Sequence, residues 1–188
     1  IATMIVVAAA IKSAQWPFSS WLPRAMEGPT SSSALFYGAL SVHMGVFLLL
    51  RTYPYWEIMV GIKGLIIIIG IVTSITAHLI AGVQSSVKSQ IAYASVAQIG
   101  LMMIEVALGW HALVLIHLAG NMLLRTYQLL VSPSVLSYAL HNMVFDFQPS
   151  SPISNKYLKW RNTFYIWSVK EWGMDQFQRN FLWKPFKR

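Results

Sequence analysis

The sequence predicts an all-α membrane protein. The architecture expected is a bundle of about five transmembrane helices, the first cut short, with a proline-broken segment and a C-terminal interfacial amphipathic tail. Three observations predict it. Of 188 residues, 56% are hydrophobic and 11% charged, and the mean hydropathy is +0.54. Soluble domains carry about 25% charged residues. The apolar residues fall in long runs, and no cysteine is present to make disulfides or thiolate metal sites. The composition excludes a disordered chain and a basic nucleic-acid-binding domain.

Ile1–Ile11 is an apolar run followed by Lys12. In a signal peptide the positive charge precedes the apolar core, so the order is wrong for one. A span needs about 20 apolar residues, so the chain reads as a fragment whose first helix is cut short. From Lys12 to Ser33 the character changes, with prolines at 17, 23 and 29 and tryptophans at 16 and 21. Pro17 and Pro23 break a continuous helix. The expectation is a broken or re-entrant stretch, a short amphipathic piece, and a new span after Pro29. Irregular backbone survives at membrane depth only under cover of protein or a water cavity.

Four more apolar segments follow: Ser33–Leu50, Ile58–Val83, Ile91–Leu108 and Ala112–Val131. Each is near spanning length, and in lipid the backbone must satisfy itself, so each is expected to be helical. The connections are short: Arg51–Trp56 at headgroup level, the polar Gln84–Gln90 loop, and a tight turn at Gly109-Trp110. We place a transmembrane domain over 1–140 and a basic aromatic tail, interfacial or extramembrane, over 141–188. Residues 141–188 hold eight Lys/Arg against three Asp/Glu, whereas 1–140 hold six against three. Pro149 and Pro152 mark a linker. Trp160, Phe164, Trp167 and Trp172 alternate with basic residues, which fits a membrane surface better than nucleic acid.

Ionisable groups inside apolar spans are costly and tend to mark ion or proton paths. Those here are Lys12, His43, Lys63, His78, Glu105, His117 and Arg125. His117, Asn121 and Arg125 are spaced i, i+4, i+8 and share one helix face. Imidazole exchanges protons near neutral pH, Asn121 can orient the ring or hold a water, and Arg125 supplies a fixed charge. The same stripe equally fits a polar seam that glues two helices. Lys12 fits either a desolvated proton carrier or a snorkelling terminus. His43 and His78 read as hydrogen-bonded packing residues, Lys63 as a snorkelling side chain, Lys88 as a solvated loop residue, and Glu105 as exposed near its span's end. No catalytic constellation, metal site or cofactor motif is present: there is no nucleophile elbow, phosphate loop or HExxH.

The segment KSAQWPFSSWLPRAMEGPTSSSAL (Lys12–Leu35) resembles the signature of the antiporter-like, proton-translocating membrane subunits of respiratory complex I and of multi-subunit Na⁺/H⁺ antiporters. VKSQIAYASVAQIGLM (Val87–Met102) and HLAGNMLLRTYQLLVSPSV (His117–Val135) resemble two further family stretches. EWGMDQFQRNFLWKPF (Glu171–Phe186) resembles, more weakly, the chain L or subunit 5 type. The resemblance implies a subunit of an NADH-quinone oxidoreductase-like assembly that moves protons and carries no redox cofactor. Its proton path would run through Lys12, Lys88 and His117, with His43, Arg125 and Asn121 tuning it, and Tyr37, Lys63, His78 and Glu105 in a second tier. The glutamate partner of Lys12 would lie upstream of Ile1.

The sequence departs from the family pattern in lacking a proline after Thr30 and at three polar positions. Tyr37 and Asn121 replace histidines, and Arg125 replaces a lysine; His43 can stand in for the lost imidazole. RTYQLLVSPS (Arg125–Ser134) has the look of a branch whose members serve bacterial inorganic-carbon accumulation. That branch implies a soluble zinc-dependent, carbonic-anhydrase-like partner. A scaffold subunit that has lost transport is the other alternative, and it makes Gly120 a packing position. The partners implied are the other membrane subunits and the lipid bilayer, not nucleic acid. The location implied is a bacterial plasma membrane.

Overall fold

The computed structural model describes residues 1–145 and 155–184, with side chains for 1–132, 160–181 and 184. Among the described residues the regular structure is helical throughout. Helix α1 is Ala2–Lys12, α2 is the short Trp21–Ala25, and α3 is Thr30–Trp56, π-helical over Ser33–Ser41. Helices α4 (Val60–Ala81), α5 (Val87–Leu108) and α6 (His111–Phe145) follow. The tail forms α7 (Asn155–Val169), a 3-10 turn at Glu171–Gly173, and α8 (Met174–Phe177), which continues as a π turn over Gln178–Trp183. Four stretches are long and apolar enough to cross a bilayer: α3, α4, α5 and His111–Ser132 of α6. The protein is thus a multi-pass membrane bundle.

Three boundaries differ from expectation. The polar loop expected over Gln84–Gln90 is shorter, because Ser86 caps a helix that starts at Val87. Arg51–Trp56 is the end of α3 rather than a connection. Helix continues through Pro54, the Thr52 hydroxyl donates to the Leu48 carbonyl at 2.8 Å, and Trp56 is fully buried. Helix α6 has 35 residues, about 52 Å at 1.5 Å each, and outruns a hydrocarbon core of about 30 Å. The linker expected at Pro149 and Pro152 lies outside the described residues.

Helix α5 is central. Its apolar window is 61% buried, against 22–44% for the other three spans. It lies closest to α4, where two glycines meet: a Cβ on Gly70 would stand 2.6 Å from the Gly100 carbonyl oxygen, and one on Gly100 2.8 Å from that of Gly70. Small residues that let backbones approach are the usual means of helix association in lipid. Gly38 of α3 meets Leu129 of α6, and Gly45 of α3 meets Ser13 and Ala9 at the end of α1. Gly120, by contrast, has open space where its Cβ would be, so it is not a packing position within this chain.

The expected turn at Gly109 is a Schellman cap. Gly109 has φ +82°, its N–H donates to the Val106 carbonyl at 3.0 Å, and that of Trp110 to Glu105 at 3.1 Å. The start of α5 is capped by Ser86, whose hydroxyl accepts from the Ser89 amide at 3.3 Å. The Gly109 cap turns the chain so that α5 and α6 form an antiparallel hairpin, which sets the register of the polar residues below.

The break after α1 is covered by protein, as irregular backbone at such depth requires. Ala14 adopts φ +52°. The Trp16 amide donates to Thr73 Oγ1 of α4 at 3.0 Å, and the Trp21 indole N–H to the Ile11 carbonyl at 3.1 Å. The Ser13 hydroxyl donates to the Val42 carbonyl at 2.7 Å. From the tail, Gln178 Nε2 donates to the Pro17 carbonyl at 2.7 Å, Ser19 Oγ to Met174 Sδ at 2.9 Å, and Arg24 pairs with Asp175.

Candidate functional site

A polar array runs through the interior where α3, α5 and α6 meet. At one end His117 Nδ1 lies 2.9 Å from Glu105 Oε1 and His117 Nε2 lies 3.0 Å from Gln98 Oε1. Both ring nitrogens of His117 are thus engaged by polar side chains of α5. One turn along α6, Asn121 Nδ2 lies 3.0 Å from His43 Nε2 and 3.4 Å from the Ser95 hydroxyl. One turn further, Arg125 Nε donates to Asn121 Oδ1 at 3.2 Å, one Nη to Gln128 Oε1 at 2.7 Å, and the other to the Ala94 carbonyl at 3.2 Å. His117 to Gln128 covers about 16 Å of helix axis, roughly half the hydrocarbon thickness.

The register follows from the hairpin. Positions equidistant from Gly109-Trp110 come level, so Gln98 stands near Asn121 and Ala94 near Arg125, while His117 comes level with Met102, between Gln98 and Glu105, and reaches both. His43, Asn121 and Arg125 are buried, at 3%, 5% and 8% exposure. His43 follows the π-helical stretch, which brings its ring to Asn121 of α6. Three members of the array, Gln98, Ser95 and Gln128, escape the sequence reading. The spacing 95, 98, 105 on one face of α5 was the signal available for the first two.

The other candidate residues lie apart. Lys12 faces outward at the end of α1, in an open pocket of about 720 Å³ that it shares with Tyr37, Trp21 and Ser41. Lys88 is half-buried and caps carbonyls of the broken segment, with Nζ 2.7 Å from Gly28 O and 3.5 Å from Met26 O. Lys63 Nζ sits 5.7 Å from the centre of the Tyr53 ring, and Tyr53 also packs edge-on against Trp56 and His111. His78 is exposed on this chain and borders a pocket of about 380 Å³ that reaches Arg125. Glu105, expected at an exposed end, is drawn in by His117; the two side chains are 16% and 24% exposed. Among the described residues no group of three His, Asp or Glu is placed to hold a metal.

Outside the spans, Arg24 and Asp175 pair the broken segment with the tail, and Glu171 lies near them. Burial works to raise the Asp175 carboxyl, but hydrogen bonds from Ser20 and Arg24 and the Arg24 charge outweigh it and hold it below its ordinary value. The hydrogen bond and charge of Asp175 in turn raise the Arg24 guanidinium. Burial raises the Glu171 carboxyl; the nearby Tyr93 hydroxyl opposes this, although Tyr93 Oη has no partner in strict hydrogen-bond geometry.

The chain is similar to known proteins over most of its length. A subunit 5 of NAD(P)H-quinone oxidoreductase from the chloroplast of Gossypium barbadense is 36% identical over 135 residues, 72% of this chain and 18% of the relative. That of Ranunculus macranthus is 34% identical over 142 residues, 76% of this chain and 19% of the relative. A probable inorganic carbon transporter subunit, DabB2, from Halothiobacillus neapolitanus is 36% identical over 153 residues, 81% of this chain and 28% of the relative. The chain therefore spans less than a third of the length of these relatives. Residues 1–158 match the profile of one family, described as NADH:quinone oxidoreductase/Mrp antiporter, transmembrane, and the chain belongs to that family.

Proposed function

We propose that the chain forms part of a proton-translocating membrane subunit of an NADH-quinone oxidoreductase-like assembly. The observation that carries this reading is the polar array. Glu105, His117 and His43 can each bind and release a proton, and Gln98, Ser95 and Asn121 hold them in one interior layer. Arg125 cannot exchange protons readily, so its part is a fixed positive charge. Amides do not relay protons well, so a proton passing between His117 and His43 requires a water between them. Like charges in a low-dielectric interior repel, so a proton arriving at one imidazole favours departure from the other. The polar seam that would only glue helices needs no such clustering of titratable groups.

In this reading Lys12 is an exchange site on the outward face, fed by a group from outside the described residues, with Tyr37 beside it. Lys88 acts on the loop rather than on the proton. Redox chemistry belongs to other subunits of the assembly. The test is proton flux through the reconstituted full-length assembly. His117→Gln is expected to lower it at least ten-fold without loss of assembly, and flux unchanged in that variant removes the array from the mechanism.

A second reading is favoured by the DabB2 relative, which covers the largest share of this chain among those described. It makes the chain part of the proton-conducting subunit of an inorganic-carbon uptake complex in a bacterial plasma membrane, with a soluble zinc-dependent partner. Mild-detergent purification of the full-length protein separates the two. Co-purifying membrane-arm and redox subunits support the first, and one large zinc protein without them supports the second.

A further inference from the structure

Arg125 is a buried cation without an acidic partner among the described residues. It is 8% exposed, and its three hydrogen bonds end on neutral oxygens of Asn121, Gln128 and the Ala94 backbone. A guanidinium has five N–H donors, so two are left over. Taking an ion out of water is costly unless a counter-charge or a full set of hydrogen bonds answers it. Glu105 is committed to His117, two turns and more along the hairpin.

The guanidinium borders a pocket of about 380 Å³. The polar groups around it are His78, Gln90, Gln128 and Arg125; Ala81 and Gly82 supply small walls, and no Asp or Glu lines it. Gln128 spends its carbonyl oxygen on Arg125, which leaves its amide NH₂ to donate. The pocket therefore offers donors and a positive charge and no negative one, the opposite of a cation site. Its volume is many times the roughly 30 Å³ share of one water. It lies at the end of α4 and the start of α5, beside the loop after Gly82.

We infer that this pocket binds a small oxyanion, held by the fork of Arg125 and by the side chains of His78, Gln90 and Gln128. Planar, bidentate recognition of paired oxygens is what a guanidinium does better than an ammonium. An arginine at this position, rather than a lysine, then has a use that proton exchange does not give it. The oxyanion has two possible sources, dissolved bicarbonate or the phosphate of a lipid headgroup. The inference does not depend on the proton-path reading, because it needs only the unpaired guanidinium and the pocket beside it.

The test is binding of carbon-13 bicarbonate to the purified full-length assembly, read by saturation-transfer NMR before and after delipidation, with mass spectrometry of retained lipid. Wild type is expected to bind bicarbonate saturably, and Arg125→Gln to bind at least ten-fold more weakly. Arg125→Lys, which keeps the charge and loses the fork, is expected to fall between them. If the source is lipid, bicarbonate binds only after delipidation, and an anionic lipid retained by wild type is missing from Arg125→Gln. Should Arg125→Gln fail to assemble, the double variant Gln90→Leu with Gln128→Leu leaves the charge in place and is expected to weaken binding several-fold. Binding unchanged in these variants overturns the inference. So does wild type that holds neither bicarbonate nor anionic lipid, the result if a neighbouring subunit fills the pocket with its own carboxylate.

Discussion

Gly100→Ala tests how tightly α4 and α5 hold the array in register. The added methyl would meet Gly70 O at 2.8 Å, Ser74 N at 3.0 Å and Ser74 Cα at 3.4 Å. All three are backbone atoms, so none can rotate away. Reaching ordinary contact requires the helices to part by roughly half an ångström, and overpacking of this kind costs about 1–3 kcal/mol. Alanine returns about 0.5–1 kcal/mol of helix propensity over glycine. The net loss expected is up to about 2.5 kcal/mol, seen as a lower Tm. Because Gln98 lies two residues away, the same shift lengthens its contact to His117. Thermal melting of the purified full-length protein in mild detergent reads the effect. Gly120→Ala is the control, since nothing stands within 4 Å of its Cβ; it is expected to be neutral or stabilising. Gly100→Ala as stable as wild type refutes the close-crossing argument.

Other substitutions probe the broken segment. Thr73→Val removes the acceptor of the Trp16 amide and is expected to cost about 1–2 kcal/mol, with faster amide exchange over residues 13–20. Lys88→Met uncaps Gly28 and Met26 at about 1 kcal/mol, since the contact is partly solvated, and raises exchange over residues 24–29. The tail has a two-sided pH dependence. Glu171 is raised in the fold, so its attachment tightens as pH falls through its folded value toward the ordinary carboxylate range. Asp175 is lowered, so its contribution is full above its ordinary value and is lost only in stronger acid. Protease accessibility of the tail is expected to pass through a minimum on acidification, and Asp175→Asn to abolish the acid-side rise.

The spans, the break and the glycine turn were legible because each rests on a local signal: apolar length, proline, and a left-handed glycine. The stripe of His117, Asn121 and Arg125 was legible from helical spacing alone. Its partners were not, because Gln98 and Glu105 meet it only through the hairpin register, and His43 only through packing of α3. Lys12 shows the limit of motif reading. Its surroundings in the signature are recognisable, yet it lies apart from the array, in an open pocket beside Tyr37 and Trp21. The tail's docking was illegible for a similar reason: Arg24 and Asp175 are 151 residues apart in sequence.

The central claim is that protons pass through His117 and His43 in series. Proton flux driven by an imposed pH gradient, in the reconstituted full-length assembly, tests it in wild type, His117→Gln, His43→Gln and the double variant, with Lys63→Gln as the control outside the array. The account predicts a loss of ten-fold or more in each single variant, a double variant no worse than the poorer single, and no loss in the control. Wild-type flux in both single variants, with the assembly intact, would contradict it.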